Sequence, residues 1–142
     1  MSDADALNAT LAVEHATLYA YGVAGAHTGV KGRQLARAAY ASHRSWRNRL
    51  TALVADAGGT PVAADPAYSL VFPVTDLATA MKLAVTLEDG CAVAYEQLVV
   101  AASSQSLRST AAGALVECAT RATSWRVLSG TKQALAFPGR GA

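Results

Sequence analysis

Apolar residues recur at helical spacing through four stretches of this chain, and in three of them an ionisable residue interrupts the stripe near its midpoint. Glu14 has Leu7, Leu11, Leu18 and Tyr21 at one and two helical turns on either side, so its side chain points where theirs point. His43 sits in the same way among Ala36, Ala39, Trp46 and Leu50, and Glu88 among Met81, Ala84, Cys91 and Tyr95. The fourth stripe, Leu107, Ala111, Ala114, Cys118, Ala122 and Trp125, leaves Glu117 about 100° and Arg121 about 60° from its centre. Midpoints of packed helices share a height, so Glu14, His43 and Glu88 are expected to meet inside a bundle, with the long side chain of Arg121 in reach.

The pattern predicts helices over about 4–25, 32–56, 76–102 and 107–129. Ser2 or Asp3 is expected to cap the first, and Thr75 the third. Short links make the first and second helices one antiparallel hairpin and the third and fourth another. Between the hairpins, 58–75 holds Pro61, Pro66 and Pro73 and cannot continue a helix. Extended, it reaches on the order of 60 Å, against about 35 Å for each helix, so it can cross the whole bundle. Tyr68, Leu70, Val71 and Phe72 would pin it there. The second and third helices then point the same way. The last stretch, 130–142, carries Leu135, Phe137 and Pro138 and is either a free tail or a segment that docks on its own bundle or on a partner.

A length of 142 residues fits one domain, 1–142, and 33 alanines among 52% apolar residues favour closely packed helices. No segment alternates apolar and polar residues for long, so the class is all-α. A net charge of +2 is too mild to imply nucleic acid. The local run of Arg44, Arg47 and Arg49 points away from the apolar stripe and reads as a solvated face. No membrane span is expected, and the acidic start, Met1-Ser2-Asp3-Ala4-Asp5, has no apolar signal core, so the cytoplasm is the default. Cys91 and Cys118 lie on different helices without Cys-x-x-Cys spacing and are expected to be buried free thiols.

The segment Leu11 to Val23, the pair His43-Arg44, Leu87-Glu88-Asp89 and Ser124-Trp125-Arg126 resemble the small alanine-rich ferritin-like proteins of unassigned function, over nearly the whole chain. The resemblance implies a ferritin-like four-helix bundle, two helical hairpins joined by a long crossover. Metal-binding relatives take one Glu from each of two helices and a Glu-x-x-His from each of the others. Glu14 and Glu88 match the single glutamates. The second helix reads Tyr40-Ala41-Ser42-His43 and the fourth Glu117-Cys118-Ala119-Thr120, so a carboxylate and an imidazole are replaced.

Two readings therefore stand. In one, Glu14, His43, Glu88 and Glu117 hold a weakly bound iron or manganese ion open to oxygen or peroxide, with Tyr40 as a nearby donor. In the other, Arg121 neutralises one of the glutamates, the polar centre is structural, and the bundle is a scaffold whose outer faces bind another copy or another protein. Few large residues leave one bundle short of core, so a homodimer is expected. Nothing in the chain resembles a nucleophile elbow or a phosphate-binding glycine loop.

Overall fold

Ser2 opens the first helix by accepting a hydrogen bond from the Asp5 amide, while the Asp5 carboxylate reaches back to the Ser2 amide and hydroxyl. In the computed structural model, which describes residues 1–131, that helix is α1 (Asp3–Gly25), followed by α2 (Gly29–Asp56), α3 (Leu77–Ala101) and α4 (Gln105–Leu128). No strand occurs among the described residues, and none of their helices is long and apolar enough to cross a membrane. Asp76, rather than Thr75, caps α3, pairing reciprocally with Thr79, and Ser104 caps α4 through the Leu107 amide. The turn between α1 and α2 is tighter than the sequence suggests. Gly29 takes φ +63°, a left-handed conformation that suits glycine, and lets α2 begin three residues before the expected Gly32.

The direction of each helix follows from residues that meet at both ends. Ser103 donates to Asp3, and Tyr21 donates to Glu88, so α1 and α3 are antiparallel. Ser42 meets Glu117, and Arg49 meets Thr110, so α2 and α4 are antiparallel as well. With α1 and α2 forming a hairpin, α2 and α3 run the same way. The segment between them travels along α1: Asn8 binds Thr60 and Val62, His15 meets the Val62 carbonyl, and Tyr19 packs on Tyr68 with ring centroids 5.7 Å apart. Farther on, Leu70, Phe72 and Val74 cover Ala20, Ala24 and Leu83.

Small residues set the helix separation. Ala24, Ala39, Ala84, Ala111 and Ala114 are fully buried, so backbones approach closely around a few large anchors, Tyr21, Tyr95 and Trp125. Leu135, Phe137 and Pro138 of the C-terminal stretch lie outside the described residues.

Candidate functional site

Glu14, His43 and Glu88 are all fully buried, although burying one unpaired ion costs several kcal/mol. His43 stands between the two carboxylates. Its Nδ1 lies 2.7 Å from Glu14 Oε2 and its Nε2 3.2 Å from Glu88 Oε1. Burial disfavours the imidazolium, but the hydrogen bonds and charges of both glutamates outweigh it and raise the His43 pKa to about 9. At neutral pH both ring nitrogens therefore donate.

Two phenols complete the inner ring. Tyr95 donates to Glu14 Oε1 at 2.6 Å, and Tyr21 donates to Glu88 Oε1 at 2.7 Å while accepting from Trp125 Nε1. Burial and the adjacent carboxylates push both hydroxyls far above the ordinary tyrosine range, so they remain donors. Sequence reasoning placed both tyrosines on the apolar stripes and missed their hydroxyls. A signal was present. Glu14 and Tyr21 are spaced as Glu88 and Tyr95 are, and because α1 and α3 are antiparallel each tyrosine reaches the glutamate of the other helix.

Arg121 enters from α4 and donates from Nε to Glu88 Oε1 at 2.9 Å, so the glutamate it neutralises is Glu88. Burial alone would push the Glu88 carboxyl up, but the hydrogen bond and charge of His43, the Arg121 guanidinium and the Tyr21 hydroxyl hold it below the ordinary value. Three donors thus converge on Oε1, while Oε2 is buried and accepts no hydrogen bond from the described residues. Two carboxylates face one imidazolium and one guanidinium, and the inner charges sum to zero.

Glu117 stands apart, with a side chain 48% exposed. It accepts from Trp46 Nε1 at 2.8 Å and from Ser42 Oγ at 3.3 Å, and lies 3.6 Å from Arg121 Nη1. It covers the outer end of the network and is not brought together with Glu14 and His43. The thiol of Cys91 is closer to them: ligand atoms of Glu14, His43 and Cys91 all fall within 4.8 Å of one another. Its pKa is raised well above the thiol range by a hydrogen bond with Cys118 and by burial, and Thr17 Oγ1 sits 3.1 Å from its sulfur. Both cysteines are buried free thiols. Tyr40, expected near the centre as a donor, is instead 41% exposed and takes no part in the ring.

The chain matches no curated protein. It is similar to a solved structure described as a conserved hypothetical protein, rv2844, from Mycobacterium tuberculosis, at 35% identity and a TM-score of 0.86, over 89% of this chain and 96% of that one. A family described only as a domain of unknown function (DUF4439) matches residues 6–142. With nearly its whole length matched, the chain belongs to the DUF4439 family.

Proposed function

We propose that this chain is a ferritin-like scaffold whose centre is a closed, charge-balanced hydrogen-bond network without catalysis, and whose outer faces do the binding. The observation that carries this reading is the pairing of Arg121 and a protonated His43 with the two buried carboxylates. A long crossover between two hairpins, with α2 and α3 running the same way, supports the ferritin-like arrangement.

The donor set does not fit the iron or manganese centre that the resemblance implies. Both oxygens of Glu14 and both nitrogens of His43 are already engaged within the protein, and a metal ligand must be neutral at the imidazole. Arg121 holds a fixed positive charge 2.9 Å from Glu88 Oε1, which disfavours a second cation on that carboxylate. Tyr40 and Thr120, at the positions of the replaced ligands, are both exposed. The convergence of Glu14, His43 and Cys91 and the unpartnered Glu88 Oε2 favour a metal, and they decide the test. Protein purified without chelator or nickel resin, then incubated anaerobically with iron(II) or manganese(II) and desalted, is expected to carry only substoichiometric metal by elemental analysis. A stoichiometric ion retained through desalting would overturn the network reading.

The expected partner is a second copy of this chain. On α4, Gly113, Val116, Thr120, Thr123 and Val127 form an uncharged outer face at helical spacing, with Val116 63% and Val127 73% exposed. Sedimentation at micromolar concentration should find a dimer, and Val116→Glu should shift it to monomer. A wild type that sediments as a monomer removes the proposed dimer.

A further inference from the structure

Between the C-terminal half of α1 and the N-terminal half of α2 lies a cavity of about 310 Å³ lined by Tyr21, Gly25, Arg33, Ala36, Arg37 and Tyr40. Its volume is at the lower end of small-ligand pockets, which run from about 300 to 1,000 Å³. Arg33 and Arg37 are one helical turn apart and both exposed, and among the described residues neither forms an ion pair. Among the described residues no carboxylate lines the cavity. Several other basic groups are engaged within the protein: Arg121 and Arg126 pair with Glu88 and Asp89, and Lys82 lies over the Phe72 ring.

We infer that this cavity binds a phosphomonoester with a small organic group, its phosphate held by Arg33 and Arg37. Two guanidiniums balance a phosphate dianion, and their planar forks suit its oxygens. The first turn of α2 begins at Gly29, so the positive end of its dipole lies one turn from Arg33. The glycine at the rim leaves room: a Cβ placed at Gly25 would meet nothing within 4 Å. Ala36 and Tyr21 form the buried floor, and the Tyr40 ring, 41% exposed, provides the apolar surface for the organic part. The Tyr21 hydroxyl is committed to Glu88, so Tyr40 supplies the remaining phenol. The cavity shares Tyr21 with the buried network, but its two arginines take no part in that network, and the site stands or falls on them.

Calorimetric titration at low salt with phenyl phosphate, inorganic phosphate and benzoate tests the inference. Phenyl phosphate should bind, and benzoate, which has the ring but a single charge, should bind at least about tenfold more weakly. Arg37→Gln and Arg33→Gln should each weaken phenyl phosphate by about tenfold or more, the loss expected for one charge-assisted hydrogen bond. Gly25→Leu, which fills the cavity without changing charge, should weaken it too, while Arg44→Gln, exposed on the same helix outside the cavity, should leave it within about twofold. Circular dichroism confirms that each variant is folded. No binding of phenyl phosphate by the wild type overturns the site. So does an Arg44→Gln loss as large as that of Arg37→Gln, or a Gly25→Leu variant that binds normally, since either outcome leaves only diffuse surface charge. Equal affinity for benzoate overturns the phosphate assignment.

Discussion

Replacing Glu88 with leucine is expected to destabilise the metal-free protein by about 3–5 kcal/mol, the loss typical of removing one partner from a buried ion pair. Glu88 Oε1 receives Tyr21, His43 and Arg121, so leucine strands three donors while matching the apolar volume. A glutamate kept only as a metal ligand predicts the opposite, because an apo bundle that exchanges a buried charge for packed hydrocarbon holds or gains stability. Arg121→Met alone should also destabilise, since Glu88 then keeps its charge with one cation fewer. Combined with Glu88→Leu, it should recover part of the loss by removing the stranded guanidinium. Recovery stays incomplete because Tyr21 and His43 still lack their acceptor. Urea unfolding of the wild type, both single variants and the double variant in the presence of chelator measures the coupling. A Glu88→Leu variant as stable as the wild type would sink the structural reading of the centre.

Helical periodicity alone located three members of that centre. An ionisable residue flanked by apolar residues one and two turns away has nowhere else to point, and Glu14, His43 and Glu88 are each fully buried. Phase also separated Glu117 from Arg121, because a guanidinium on a long stem reaches inward from a flank where a shorter carboxylate does not. Which glutamate Arg121 would meet was not legible. Periodicity fixes the face of each helix but not how the hairpins are rotated and shifted against each other, and that packing puts Arg121 on Glu88 and Tyr95 on Glu14.

The tyrosines show the same limit. A tyrosine on an apolar stripe reads as bulk, and its hydroxyl becomes informative only once the antiparallel pairing of α1 and α3 is known. The early start of α2 at Gly29 was likewise hidden, since a left-handed glycine permits it and periodicity does not reveal it. The crossover was legible because its prolines exclude a helix and its length matches the bundle. Its anchoring through Asn8 was not, since a polar residue near a helix start carries no signal of a distant partner.

Raising the pH from about 6.5 to 9 is expected to remove about 3 kcal/mol of stability through His43 alone. The folded-state pKa, about 9, lies above the ordinary imidazole value of 6.5, so folding favours the protonated form. The contribution is full below the unfolded value and falls away as the pH rises through the folded one. Glu88 works from the other side. Its pKa is held below the ordinary carboxyl value of 4.5, so its contribution is present above that value and is lost as the pH falls further. Stability should therefore be greatest between about pH 4.5 and 6.5 and decline in both directions.

His43→Gln isolates the alkaline limb, because it removes the titrating ring and leaves the rest of the protein unchanged. The variant should be less stable than the wild type at pH 6, and the gap should narrow by about 3 kcal/mol at pH 9. A metal site predicts a different course, since a ligating imidazole must be neutral and added metal would stabilise the protein more as the pH rises. Chemical denaturation across this range, with chelator and with added manganese(II), distinguishes them. A gap that stays constant from pH 6 to 9 would mean that His43 is not held as an imidazolium between Glu14 and Glu88, and the charge balance of the centre would fail with it.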